Sequence, residues 1–291
     1  MNQPNVRIGI LCAIAVFFIW SSFFVFSRLA VTGVLTPYDI TALRFLVAGI
    51  IVLPFAWRWW PRHLSPTGQW VMAACGPGAI YSLVMYAGLS QAPVAYAGVF
   101  ANGSLPVFSA LLILAVKRAA PSIKQMLGIA IILSGSALLS LPGLADAGDN
   151  VMQGIALFLT ASVVLSIYLF GVQFWRVTPQ QALALITLPN AVLYLPLWFF
   201  FLPSGIEQAS VQEVAFQAAF QGLGPGFFAV LLFATATINL GATATASFSA
   251  AVPAGAALLA MPVLGEFPTP LAWGGVLIVS IGLAVLLVRR R

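Results

Sequence analysis

Two prolines inside long apolar runs are the first residues whose position implies chemistry. Pro106 and Pro253 each lie near the middle of such a run. A proline within a helix leaves the carbonyl four residues earlier without its donor, and these carbonyls belong to Asn102 and Ser249. A buried amide without partners costs about 1–3 kcal/mol. The Asn102 side chain is therefore expected to face a substrate, a water-filled cavity or a neighbouring helix, the last being the ordinary structural interpretation.

A second set of candidates follows a helical spacing. Gly78, Tyr81 and Met85 lie at i, i+3 and i+7, on one face of a helix. Tyr81 combines an apolar ring with a hydroxyl that requires a partner when it is buried. Such a stripe is predicted either to bind a substrate or simply to pack, and Phe233 occupies the position of Met85 in the internal repeat described below.

Four further residues lie past the middle of two other apolar runs. Trp20 and Ser21 belong to the first run, and Ser166 and Tyr168 are placed similarly in the sixth. Their related positions predict a shared central cavity, although serines in membrane helices commonly donate to a carbonyl four residues earlier or to another helix. The predicted substrate-binding residues are thus Trp20, Ser21, Gly78, Tyr81, Met85, Asn102, Ser166, Tyr168, Phe233 and Ser249.

Arg44 is the clear case of an ionisable residue within an apolar run, which marks it as a functional candidate. It lies about two turns from the outer end of the second run. We expect it to provide a charge at the outer mouth, where it could extend its side chain to the membrane surface, pair with Asp39 or Glu266, or meet the carboxylate of a substrate.

The remaining reactive residues exclude most other chemistry. His63 is the single histidine and lies in a loop, and Cys12 and Cys75 lie in apolar runs. Neither a nucleophile beside a base nor a metal-ligand cluster occurs, so no catalytic, metal or cofactor site is predicted. Because no acidic residue lies near the middle of a run, the midplane is expected to be uncharged. Transport is then facilitated or coupled by an unrecognised route.

Composition defines the elements that hold these residues. Of 291 residues, 62% are hydrophobic and 6% are charged, whereas soluble domains contain about 25% charged residues. A membrane helix needs about 20 apolar residues, and ten such stretches are present. The predicted spans are 8–27, 38–57, 69–90, 93–116, 123–142, 151–175, 180–202, 213–236, 241–264 and 270–288. The predicted fold is an all-α polytopic membrane protein in a lipid bilayer.

Charge placement gives the orientation. With the N-terminus in the cytoplasm, ten of the 12 basic residues lie on the inner side and all 6 acidic residues on the outer side. This follows the positive-inside rule and places both termini in the cytoplasm, for a multi-pass protein of a bacterial inner (plasma) membrane. The net charge of +6 is thereby explained without a nucleic-acid partner.

The chain also repeats itself. Thr36-Pro37 matches Thr178-Pro179, Gly76-Pro77-Gly78 matches Gly224-Pro225-Gly226, and Leu105-Pro106 matches Val252-Pro253. Residues 1–147 and 148–291 are therefore predicted to form two five-helix repeats. An odd number of spans makes the second repeat inverted, an architecture typical of secondary transporters with a site at the midplane.

Glycines and prolines of the repeat have predicted mechanical roles. Pro77, Pro106, Pro225 and Pro253 are the predicted hinges of alternating access. The pairs Gly128/Gly135 and Gly275/Gly282 match each other and mark close-packing faces. The fifth and tenth spans then serve either as a scaffold or as the contact of a homodimer.

Ten spans, the five-plus-five repeat and the motif Pro253…Leu264-Gly265-Glu266 resemble the drug/metabolite transporter superfamily in its EamA branch, over the whole chain. Within that branch the chain is most similar to bacterial exporters of aromatic amino acids. Many members carry a Gly-Glu pair at the end of the fourth helix, where this chain has Arg118 and Ala119. The role of that glutamate is therefore not transferred.

The resemblance and the uncharged midplane together predict export of aromatic and other apolar amino acids. Export of nucleosides, sugars or amphipathic drugs is the alternative, because function depends on the site rather than the fold. An intramembrane enzyme is a distant third.

Overall fold

The computed structural model describes residues 5–31, 33–92, 94–144, 149–249, 251–264 and 270–287, and the regular elements in these ranges are all helical. Several residues of the predicted charge distribution and family motif lie outside the described residues, namely Asp146, Gly265, Glu266, Arg289, Arg290 and Arg291. The first half contains α1 (Val6–Val31), α2 (Pro37–Val52), α3 (Ala56–Trp59), α4 (Pro66–Cys75), α5 (Ala79–Gln91), α6 (Val94–Tyr96), α7 (Leu105–Lys117) and α8 (Ile123–Leu144). The second half contains α9 (Asp149–Phe174), α10 (Pro179–Phe201), α11 (Val211–Gln221), α12 (Ala229–Leu240), α13 (Ala242–Ser249), α14 (Val252–Leu264) and α15 (Pro270–Leu287).

Eight helical stretches of the described chain are long and apolar enough to cross a membrane. They are Val6–Val31, Pro37–Trp59, Pro66–Gln91, Ala97–Lys117, Asn150–Phe174, Pro179–Phe201, Val211–Leu240 and Ala242–Val263. Each coincides with one of the predicted spans. The chain is thus a multi-pass helical membrane protein, and the two remaining predicted spans fall on α8 and α15.

One matched sequence pair, Thr36-Pro37 and Thr178-Pro179, begins helices in the same way in both halves. The Thr36 side chain accepts from the Asp39 backbone N–H at the start of α2, and Asp39 accepts in return from the Thr36 backbone. At the start of α10, Thr178 and Gln181 form the same reciprocal pair, and a proline is the first helical residue in both cases. These capping boxes satisfy backbone donors that lipid and headgroups would leave unpaired.

Helices are interrupted where the sequence carries its matched prolines. Gly76-Pro77-Gly78 separates α4 from α5, and Gly224-Pro225-Gly226 lies within a π-helical segment, Gly222–Phe228, between α11 and α12. A second π-helical segment, Ala97–Gly103, precedes the break at Pro106. Such wide turns form where a proline removes an intrahelical donor. The breaks therefore fall inside the bundle rather than at its ends.

The two halves make equivalent contacts. α1 packs against α12 and α14 of the second half, whereas α9 packs against α5 and α7 of the first half, and α2 packs against α10. Ser21 Oγ donates to the carbonyl of Val252 at 3.5 Å, and its sequence match Ser166 donates to the carbonyl of Leu105 at 3.4 Å. Each serine thus bonds the residue that precedes the helix-breaking proline of the opposite half.

α8 and α15 form a pair of their own through their small residues. A Cβ added at Gly135 would come within 2.7 Å of the Val279 backbone nitrogen and 2.8 Å of the Gly275 carbonyl, and one added at Gly282 would come within 2.7 Å of Ile132. Of the two predicted roles, these contacts are those of a scaffold within one chain.

We predict that Gly135→Ala lowers the apparent melting temperature of the purified protein in detergent. The added methyl group would meet backbone atoms, and overpacking of this kind costs about 1–3 kcal/mol. Gly274→Ala is the matched control, because a Cβ there meets only a Leu138 methyl group at 3.5 Å. Equal melting temperatures for the two variants would contradict the close approach of α8 and α15.

Candidate functional site

Arg44 on α2 is buried at the junction of the two halves, with 2% of its surface exposed. Its Nη2 donates to the carbonyl of Pro77 at 3.1 Å and to the carbonyl of Pro225 at 3.0 Å. Its Nη1 donates to Ser82 Oγ on α5 at 3.2 Å. One guanidinium therefore bonds the central residue of both Gly-Pro-Gly breaks.

The places of the Pro77 and Pro225 carbonyls along their spans show how deep in the bundle the Arg44 guanidinium lies. Pro77 is the twelfth of the 26 residues in the span Pro66–Gln91, and Pro225 is the fifteenth of the 30 residues in the span Val211–Leu240. The guanidinium consequently lies near the middle of both spans. This corrects the expectation that Arg44 reaches outward to the membrane surface: its side chain turns into the bundle and places a charge at the level of the two breaks. The long arginine side chain can reach inward as well as outward. It turns inward because the carbonyls of Pro77 and Pro225 accept its hydrogen bonds inside the bundle.

Asp39 does not pair with Arg44, because its oxygens are already bonded. Oδ1 accepts from Trp198 Nε1 at 2.9 Å, and Oδ2 accepts from the backbone nitrogens of Thr36 and Gly205, each at 2.9 Å. This carboxylate joins the start of α2 to the end of α10.

Each Gly-Pro-Gly break has its own polar partner on the opposite half. Asn190 Nδ2 on α10 donates to the carbonyl of Ala73, the one freed by Pro77, at 3.1 Å. Its Oδ1 accepts from the Ala79 backbone nitrogen at 2.8 Å. At the second break Arg44 passes beside Gly226, where an added Cβ would lie 3.2 Å from the Arg44 Cγ. Glycine at this position leaves room for the arginine.

A network of neutral side chains extends from Arg44 between α1, α5 and α11. The Tyr86 hydroxyl donates to Gln221 Oε1 at 3.2 Å, and Gln221 Nε2 donates to Ser27 Oγ at 3.0 Å and to Gln217 Oε1 at 3.2 Å. The sequence prediction missed these residues and Asn190. The spacing of Gln217 and Gln221 by four residues in an apolar run was the available signal.

Several predicted site residues meet in one buried cluster. The rings of Trp20 and Phe233 are 4.6 Å apart, and Tyr81, Met85 and Tyr168 belong to the same cluster. Within the described residues, the Tyr81 hydroxyl makes no hydrogen bond, although this side chain lies close enough to Arg44 to interact electrostatically. The Phe45 ring, whose centre is 5.9 Å from the guanidinium carbon, lies beside the cation.

The predicted serines are bonded along their own helices. Ser21, Ser166 and Ser249 donate to the carbonyls of Phe17, Ser162 and Thr245 respectively. These are bonds to a carbonyl four residues earlier, which the sequence left as the structural alternative. A substrate role for the three hydroxyls stays a prediction.

Asn102 is buried with neither side-chain amide atom bonded in the described part of the chain. Other buried polar atoms without partners lie on the elements that surround its π-helical segment, namely the hydroxyl groups of Ser109, Ser136, Tyr168 and Thr245. The same segment packs closely against the second half, because a Cβ added at Gly98 would come within 2.6 Å of the Pro253 side chain. Unsatisfied buried groups of this kind mark places where a water molecule or ligand binds. Asn102 therefore remains a candidate.

Residues 7–141 match the EamA-like transporter family. Over 266 residues the chain is 25% identical to the Uncharacterized transporter YwfM of Bacillus subtilis (strain 168), an alignment that covers 86% of this chain and 84% of that protein. A solved structure described as "Crystal structure of protein" is similar with a TM-score of 0.73 and 20% sequence identity, covering 97% of this chain and 98% of that one.

The family match and the YwfM relative point to a membrane transporter rather than an enzyme. At 20% identity the solved structure shows a shared fold alone, over nearly the whole length. The EamA-like resemblance expected from the sequence is thus supported for the first half of the chain.

We predict that Asn190→Leu lowers the melting temperature of the protein in detergent. Leucine has a similar volume but leaves the Ala73 carbonyl and the Ala79 N–H without these partners, at about 1–3 kcal/mol for each buried group. The control is Val192→Leu on the same helix, because Val192 is 68% exposed. A melting temperature equal to that of the control would contradict the role of Asn190 at the break.

Proposed function

We propose that this chain is a secondary or facilitative transporter that exports aromatic and other apolar amino acids from the cytoplasm by alternating access. The observation that carries the proposal is the meeting of two interrupted helices, one from each half, at the buried polar centre around Arg44. Transporters built from inverted repeats place their substrate sites at such midplane helix breaks. The family match supports the transporter class, and the residues of the centre are the basis on which we propose the substrate class.

The architecture we propose has ten spans in two inverted five-helix repeats, residues 1–147 and 148–291. Equivalent helix caps, breaks and serine contacts in the two halves support this repeat. The apolar helix Ile123–Leu138 and the 18-residue helix α15 would supply the fifth and tenth spans. Ten spans place both termini on the same side, which the positive-inside rule makes the cytoplasm of a bacterial cell.

We predict that reporter tags at residues 1 and 291 both report the cytoplasmic face. Fusion of a reporter that is active only in the cytoplasm to either end should give a signal, and a fusion in the loop at residues 203–210, between the seventh and eighth proposed spans, should not. Signals on opposite faces for the two ends would contradict an even number of spans.

The buried centre favours a substrate with an apolar side chain and no net positive charge. Tyr81, Trp20 and Phe233 supply aromatic surface that suits an aromatic or aliphatic side chain. Arg44 repels a cation at this depth, which argues against cationic drugs. We propose further that, within the family, the chain is most similar to the bacterial aromatic amino acid exporter YddG, a resemblance expected from the sequence.

Rocking of one half against the other requires bending points, for which we propose Pro77, Pro106, Pro225 and Pro253. All four lie at observed breaks or at the start of a helix after one.

In the alternative function, the same fold exports uncharged nucleosides or sugars. A transport assay that offers amino acids, nucleosides and sugars separates the two functions. Coupling of transport to another gradient and assembly as a homodimer stay predictions.

We predict that the purified protein in liposomes carries labelled phenylalanine or tryptophan, and that Tyr81→Ala and Asn102→Leu each lower this flux several-fold. Tyr81→Ala removes a wall of the cluster, and Asn102→Leu removes an unpaired amide at similar volume. Trp57→Ala is the control, because Trp57 is 81% exposed and far along the chain from the breaks.

Flux must be compared at equal amounts of folded protein. Absence of flux for a full amino acid panel, with flux of nucleosides or sugars, would replace the proposed function by the alternative. Unchanged flux in both variants would remove Tyr81 and Asn102 from the site.

A further inference from the structure

Arg44 is a buried cation that lacks a counter-ion among the described residues. Its polar partners are the carbonyls of Pro77 and Pro225 and the hydroxyl groups of Ser82 and Tyr86, and its Nε has no partner. A charged group taken out of water costs several kcal/mol, and dipoles offset only part of that cost. A guanidinium also has five N–H donors in a planar fork that fits a carboxylate. The protein therefore carries a buried guanidinium with one unbonded N–H and no counter-ion among the described residues.

The second half of the chain carries no charge at the position that corresponds to Arg44. The first break is held by a neutral side chain, Asn190, through two hydrogen bonds. The offset of 142 residues that aligns Pro37 with Pro179 aligns Arg44 with Ile186. Ile186 packs at Gly76 of the first break and carries no charge. Asn190 shows that a neutral side chain can supply hydrogen bonds to a break, and Arg44 adds one more bond to the same break.

The surroundings of Arg44 suit the carboxylate end of an amphipathic molecule. Ser82 is buried beside it, and Tyr81 and Tyr86 both lie close enough to interact electrostatically with the guanidinium. The Tyr81 hydroxyl is a second donor that the described residues leave unbonded. An anionic group at Arg44 would therefore lie next to aromatic rings, as the carboxylate of an amino acid with an apolar side chain requires.

We propose that Arg44 binds the carboxylate of the transported substrate, which assigns the site to monocarboxylates with an apolar side chain; this rests on the proposed function. The carboxylate takes the free Nε–H and replaces one proline carbonyl at Nη2. The Arg44 guanidinium joins the two Gly-Pro-Gly breaks through one hydrogen bond to each. Substrate binding then removes one of these two bonds. Neutral nucleosides and sugars lack the group that this site recognises.

The test compares ligands with and without a carboxylate on wild type and Arg44→Gln. Binding to the purified protein is measured directly, by thermal stabilisation or calorimetry, with 3-phenylpropionate, its amide, phenylalanine and phenylalaninamide as the probes. Wild type should bind each carboxylate at least about tenfold more tightly than the matching amide, about 1.4 kcal/mol. In Arg44→Gln this ratio should fall to about one, and Arg44→Lys, which keeps the charge but not the fork, should give an intermediate ratio. Arg62→Gln removes one charge from an exposed loop residue and should keep the wild-type ratio.

The outcomes separate this inference from the proposed function. If the protein transports amino acids but folded Arg44→Gln keeps the wild-type ratio of carboxylate to amide affinity, the carboxylate site is overturned. The proposed function is then unaffected. Absence of amino acid flux with Arg44-dependent binding of 3-phenylpropionate overturns the proposed function and supports the site. If Arg44→Gln does not fold, equal binding of carboxylate and amide by wild type still overturns the site, and a preference that is weakened in Arg44→Lys supports it.

Discussion

A backbone carbonyl that a proline exposes in the middle of a membrane helix has no water to bind, and this constraint organises the centre of the protein. Lipid offers no donor, so a helix break is stable only where the protein supplies one. Asn190 supplies it to the carbonyl freed by Pro77, and Arg44 donates to the carbonyls of Pro77 and Pro225 together. These bonds bring α2, α10 and both breaks to one depth. The neutral hydrogen-bond network begins at that point, where Tyr86 bonds Arg44.

The two halves share their scaffold and differ in their chemistry. Helix caps at Thr36 and Thr178, and serines that bond the residue before the opposite proline, occur in both halves. The polar partners of the breaks do not: arginine stands where the other half has Ile186. Among the described residues, the polar centre at the two breaks thus has a charged group from the first half and a neutral residue at the corresponding position of the second. Function of this kind resides in a few side chains and not in the fold that carries them.

Buried polar groups fall into two classes, and the difference has consequences for motion. Between α1, α5 and α11, the side chains of Ser27, Tyr86, Gln217 and Gln221 satisfy one another, and a satisfied network stabilises one arrangement. Around the π-helical segment Ala97–Gly103, the amide of Asn102 and several hydroxyl groups have no partner in the described chain. That side of the bundle is the one on which a rearrangement or a bound molecule would gain hydrogen bonds.

The sequence by itself determined the helices, because apolar length, proline and glycine act locally. The eight observed spans, the capping residues and the positions of the breaks all follow from such local signals. The partner of each polar group was decided only by the tertiary structure. Arg44 was expected at the outer mouth because its distance from the helix end is all that a linear pattern records. Which way its long side chain turns depends on acceptors 33 and 181 residues away, and helix packing alone brings those carbonyls within reach.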